Sequence, residues 1–234
     1  MIALIVDALS DPLIGYLSDN TRSRWGRRHP FMYAAALPAA IAYYFVWNPP
    51  SGLEGDALFP YIVTIAVVVR TLVTVYEIPS SSLVAEMSDD YDERTSMLSY
   101  RYFFGWTGGT LMGAFATIFI LVPTTTISNG MFNVQGHGQV GAVAAMVIFV
   151  AMIVSTMGTH KMIPDLKAPP PPRRMTVGLI YREVFETLAS RSFLALFLAA
   201  LFGAVAAGVS TTLSFYFSTF FWGFTTEQIG LISL

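Results

Sequence analysis

Long apolar runs recur along this chain and leave it few environments in which to fold. Phe31 to Trp47, Phe59 to Leu83, Leu98 to Val122, Val140 to Met157 and Phe193 to Trp222 each have at least the roughly 17 residues a helix needs to cross a bilayer core of roughly 30 Å. Met1 to Leu17 is shorter and has no polar flank before it. It reads as a helix whose N-terminal part lies outside the sequence. Gln228 to Leu234 reads as the beginning of a further helix. In lipid, only helices and closed barrels satisfy their own backbone groups. These runs are continuous rather than alternating, which points to helices. The composition agrees, being 54% hydrophobic and 12% charged, where a soluble domain carries about 25% charged residues. The expected fold class is an all-α membrane protein with about six transmembrane helices plus the start of a seventh. Without cysteine the chain has neither disulfides nor thiolate chemistry. The opening MIALIVDALSDPLIG lacks a basic segment and carries acids within its apolar run, so it does not read as a secretory signal.

Basic residues set the expected topology. Arg22, Arg24, Arg27 and Arg28 crowd the first loop, and six more lie between Lys161 and Arg191. The connections 48–58 and 123–139 have none. The positive-inside rule then places loops 19–30, 85–96 and 162–191 on the cytoplasmic side of a multi-pass cell-membrane protein. The middle loop is acidic, but acids weigh little in that rule. Three regions follow: a transmembrane bundle over 1–161, a central cytoplasmic linker over 162–191, and the start of a second bundle over 192–234. Pro169 to Pro172 favour extended polyproline geometry in the linker. Tyr181 to Ala189 reads as a short amphipathic helix, with Tyr181, Val184, Phe185 and Leu188 on one side.

Asp7 and Asp11 interrupt the first apolar run, and Glu77 the third. A carboxylate at membrane depth is expensive and marks a functional site by default. Residues four apart share a helix face, roughly 5–6 Å between Cβ atoms. Two carboxylates that close need a proton, a bound cation or an arginine. Pro12 follows Asp11, and Pro79 follows Glu77 closely. Each removes a backbone donor and frees the carbonyl of Ala8 or Val75. Carboxylates with loosened carbonyls suit Na⁺, or a proton held between acids. Asp7, Asp11 and Glu77 are therefore the candidate cation site. The competing expectation is that they pair internally with Arg70 and Arg101. Arg70 shares a helical face with Glu77 and is the candidate structural partner of an acid. Arg101 stands among Tyr100, Tyr102, Phe103, Phe104 and Trp106. That setting suits a solute contact or an interfacial belt. Gly105, Gly109 and Gly113 form a doubled GxxxG that lets another helix approach. His29, His137 and His160 lack metal-ligand spacing. No nucleophile triad, phosphate loop or zinc motif is present, so no enzyme, cofactor or nucleic-acid partner is expected.

Two stretches carry a family resemblance. DALSDPLIGYLSDNTRSRWGRRHPF and YEIPSSSLVAEMSDDYDERTSMLSYRYFF are similar to the glycoside–pentoside–hexuronide:cation symporters, the melibiose-permease-like branch of the major facilitator superfamily. The resemblance implies a partial bundle, helices 2 to 7 of a twelve-helix transporter. It also implies symport of a sugar or glycoside-like small solute with Na⁺ or H⁺ by alternating access; a proton-coupled or lipid-carrying relative is the alternative. In that family paired acids on helix 2 and one on helix 4 bind the cation, matching Asp7, Asp11 and Glu77; the family has aspartate at the third position. Arg101 matches an arginine near the bound sugar. Ser81 falls where the melibiose carrier has a tryptophan that stacks on sugar. The loop from Gly15 to Arg28 latches the cytoplasmic side in the family, which assigns Asp19, Arg24, Gly26, Arg27 and Arg28 to gating.

Overall fold

The computed structural model describes residues 2–53, 55–125, 127, 129–166 and 177–232. Among them the structure is helical, with no strand. The helices are α1 (Ile2–Asn20), α2 (His29–Trp47), α3 (Leu58–Met87), α4 (Tyr91–Phe115), α5 (Val134–His160), α6 (Val177–Leu188), α7 (Arg191–Tyr216) and α8 (Thr226–Ile232). Both α4 and α7 end in a π turn, Ala116–Ile120 and Phe217–Phe221. Five helical stretches are long and apolar enough to cross a membrane: His29–Trp47, Gly55–Met87, Tyr91–Ile120, Val134–His160 and Arg191–Phe221. The three aspartates of α1 keep it from that set, yet it packs along α3. The tetraproline segment and Arg173–Arg174 lie outside the described residues, as do the side chains of Tyr181, Val184 and Phe185.

The connection after α3 is shorter than the loop 85–96 expected from the sequence. Only Ser88, Asp89 and Asp90 lie between the helices. Local capping explains this. Asp90 Oδ1 accepts from the Glu93 amide at 2.9 Å, and Ser88 Oγ donates to Glu93 at 2.5 Å. This starts α4 much as a capping box does. Arg94 donates to the carbonyls of Ser88 (2.6 Å) and Ala85 (3.1 Å), which satisfies the end of α3.

The chain forms two compact units. The first comprises Met1–Met112 and Val134–Arg173. Here α2 is central, flanked by α3 and α5, and α3 also packs against α1. Met32, Ala35, Ala36, Ala39, Ala40 and Ala42 of α2 are buried. Ala36 and Ala39 meet Met152 in a cluster bordered by Leu72, Tyr76 and Ile148. Small side chains let helices approach closely, which drives association where lipid is as apolar as the core. α2 and α5 run antiparallel. His29 Nε2 lies 3.1 Å from Thr159 Oγ1 at one end, and Asn48 Nδ2 donates to the Gly138 carbonyl at 3.0 Å at the other. Gly141 makes this approach possible, because a Cβ there would fall inside the Trp47 side chain. Gly141→Ala is expected to destabilise the protein by about 1–3 kcal/mol, read as a lowered thermal midpoint in detergent. Gly158→Ala on the same helix meets nothing within 4 Å and serves as the silent control.

The second unit comprises Gly113–Asn133 and Arg174–Leu234. In it α8 packs on the π turn that follows α4. Gly230 lies against Thr117, and the Thr226 hydroxyl donates to Asn129 Oδ1 at 3.1 Å. Among the described residues nothing packs on the glycine stripe of α4. A Cβ at Gly105, Gly109 or Gly113 would meet nothing within 4 Å.

Candidate functional site

The site grows from the register of α1 against α3. Arg70 Nε donates to Asp7 Oδ2, a pair 63 residues apart. Thr74 lies beside Asp11, and Gly15 faces Ile78 with room for a Cβ at 3.7 Å. The same offset recurs each time, so the two helices run parallel and in step. Arg70, Thr74, Glu77 and Ser81 follow at intervals of three and four, which puts them on one stripe of α3. Arg70 is close to the middle of the thirty-residue α3, and its side chain is half exposed. Pro12 and Pro79 sit inside unbroken helices.

Geometry then distributes the charges. Asp7 is buried, with 8% of its surface exposed. Its Oδ2 is held by Arg70, whereas Oδ1 is buried without a hydrogen-bond partner. Asp11 is half-buried, and its Oδ1 is likewise buried and unpartnered. Asp7, Glu77 and Arg70 are all near enough to Asp11 to act on it electrostatically. Glu77 has an open side chain and faces Arg101, with Arg101 Nη2 3.8 Å from Glu77 Oε1. The structure therefore pairs Asp7 with Arg70 and Glu77 with Arg101 and leaves Asp11 within electrostatic range of Asp7, Glu77 and Arg70; among the described residues Asp7, Asp11 and Glu77 do not close into a three-acid group that could hold a metal ion. Ser81 shares the α3 stripe and is exposed. The donor set around Asp11 is oxygen only, the chemistry that suits a hard cation.

A second charged cluster closes the end of the first unit. Glu86 Oε1 accepts from Arg27 Nη2 at 2.5 Å and from Arg28 Nε at 2.7 Å. Arg28 Nη2 also reaches Asp19 Oδ1 at 3.0 Å. One carboxylate at the tip of α3 thereby ties the end of α1 to the start of α2. Gly26 makes the turn between them at φ +73°, a left-handed conformation that favours glycine. Arg24 is exposed and joins none of these pairs.

Several residues escaped the sequence reading. Thr74 had a signal, since it sits four after Arg70 and three before Glu77. Glu86 was grouped with an acidic loop, although α3 continues past it. His29, fully buried, packs edge-on to His160 with ring centroids 5.7 Å apart. Tyr33 Oη lies 3.2 Å from His160 Nδ1, and Trp25 packs against Tyr33 and His160. These contacts join residues about 130 positions apart, which no local pattern encodes.

The sequence profile of the MFS/sugar transport proteins matches residues 1–234. An uncharacterised symporter of Synechocystis is 33% identical over 162 residues, covering 67% of this chain and 29% of its own length. The isoprimeverose transporter of Lactiplantibacillus pentosus is 28% identical over 176 residues, 73% of this chain and 35% of that one. The sodium-dependent lysophosphatidylcholine symporter 1 of mouse is 34% identical over 99 residues, 41% of this chain and 18% of that one. The chain thus spans about a third or less of the length of these relatives.

Proposed function

The chain belongs to the MFS/sugar transport protein family, and on that footing we propose that the whole protein is a secondary symporter. It couples the entry of a cation to that of a small organic solute by alternating access, with a site near the bilayer midplane. The observation that supports this most is the aligned set Asp7–Arg70 and Asp11–Thr74 beside Glu77 and Arg101. Asp7 Oδ1 and Asp11 Oδ1 are both buried without a hydrogen-bond partner, four residues apart on one helix face. An unpaired buried carboxylate oxygen is costly, and a cation between the two would relieve both. We take that cation to be Na⁺, on the oxygen-only donor set and the sodium-dependent relative, with a proton as the competing choice. The solute is of sugar or glycoside type, its hydroxyls matched by the Arg101 fork and the exposed Ser81. The basic clusters favour cytoplasmic placement of the turn 21–28 and of the segment after α5, and Glu86 with Arg27, Arg28 and Asp19 then braces the cytoplasmic end of the first unit.

A second solute class has support of its own. Ser81 offers no flat aromatic face for a pyranose, and the mouse relative is named for lysophosphatidylcholine. The test is uptake by the whole protein in proteoliposomes, comparing a panel of glycosides with lysophosphatidylcholine under inward Na⁺ or H⁺ gradients. Na⁺-driven uptake of a glycoside is the expected result. Uptake of the lysolipid alone would move the solute class, and uptake that follows pH while ignoring Na⁺ would move the ion. Uptake unaffected by either gradient would end the symport reading.

A further inference from the structure

We propose that Arg70 is a tethered cation that fixes the ion stoichiometry of this site: by holding Asp7 it leaves room for one monovalent ion, seated at Asp11. The inference rests on the coupling reading above and goes further, to what selects the ion. Asp7 pairs with Arg70 and Glu77 with Arg101, and Asp7, Glu77 and Arg70 all lie within electrostatic range of Asp11. The balance is one negative charge, and Asp11 is the acid without an arginine among these pairs. Arg70 engages only Oδ2 of Asp7; Oδ1 stays buried and unpartnered. Asp11 offers its own unpartnered Oδ1 and the neighbouring Thr74 hydroxyl. A single monovalent ion would bring the cluster to neutrality. A divalent ion, or a second monovalent one, would leave an uncompensated positive charge beside the buried Asp7, where it is disfavoured. Removing Arg70 takes the balance to two negative charges, which admits either.

The experiment counts bound ions on the purified whole protein by equilibrium dialysis of ²²Na⁺, with Ca²⁺ as competitor. The wild type is expected to bind one Na⁺ per chain and to resist Ca²⁺. Arg70→Gln is expected to bind a second Na⁺, or to become at least about tenfold more sensitive to Ca²⁺, a change of about 1.4 kcal/mol. Arg70→Lys should behave as wild type. The double variant Asp7→Asn/Arg70→Gln removes one charge of each sign and should return to one Na⁺ and to Ca²⁺ resistance. If Arg70→Gln fails to fold because Asp7 is left bare, Asp7→Asn alone, which leaves two acids against two guanidinium groups, is expected to lose Na⁺ binding, and one bound Na⁺ there would overturn the role of Arg70. One Na⁺ with unchanged Ca²⁺ resistance in Arg70→Gln, or Ca²⁺ sensitivity in the double variant, would overturn the role of Arg70. Asp11→Asn separates this from the reading beneath it. Normal Na⁺ binding in Asp11→Asn would remove the coupling site altogether, whereas lost binding there with an unaltered Arg70→Gln would remove only the stoichiometric role.

Discussion

Asp11→Asn is expected to abolish Na⁺ stimulation of uptake by the whole protein while leaving its thermal midpoint almost unchanged. Asparagine keeps the shape beside Thr74, but it removes the charge that Arg70 and Arg101 leave unmatched. A hydrogen bond or contact to a charged group contributes about 1.5–3 kcal/mol. Ion affinity should therefore fall by about 10–150-fold, enough to silence coupling at ordinary Na⁺ concentrations. Folding should not suffer, since Asp11 has no ion pair to lose among those described. Concentration-dependent uptake with and without an Na⁺ gradient is the measurement. Stimulation that persists at wild-type strength would show that the acid pair is not where the ion settles.

Glu86→Gln should have the largest effect on stability. Its carboxylate is shared by Arg27 and Arg28, and the side chains of all three are largely buried. Removing one partner of a buried pair leaves the other charge uncompensated, at about 3–5 kcal/mol. Here two guanidinium groups lose their common negative charge, and Asp19 reaches only Arg28. The ends of α1, α2 and α3 should loosen together. A large drop in thermal midpoint is expected, with faster proteolysis in the turn 21–28. Asp19→Asn is the contrast: Asp19 is 45% exposed at its side chain, and pairs of that kind contribute about 0–1 kcal/mol. Equal losses in the two variants would mean that Glu86 is not the hub.

Much of this protein can be read along the chain, because the bilayer imposes simple rules. Long apolar runs must be helices, so all five long stretches appear where expected, although those beginning at Tyr91 and Val134 start six or seven residues earlier than the apolar runs. Acids inside those runs are too costly to be incidental, so Asp7, Asp11 and Glu77 stand out before any coordinates. Cap chemistry was equally local: Asp90 and Glu93 announce the start of α4, although the acidity of the segment hides it in a reading that looks for loops.

What the chain order could not decide is which charge faces which. Arg70 was free to pair with Glu77 on its own helix face or with an acid on another helix. The parallel register of α1 and α3 hands it to Asp7 and leaves Glu77 to Arg101. Glu86 becomes the brace of Arg27 and Arg28 only because α2 and α3 run antiparallel and close, which the alanine face of α2 permits. Helix formation depends on neighbours along the chain and on the solvent. Ion pairing depends on side-chain contacts between helices, and those exist only after the helices have packed.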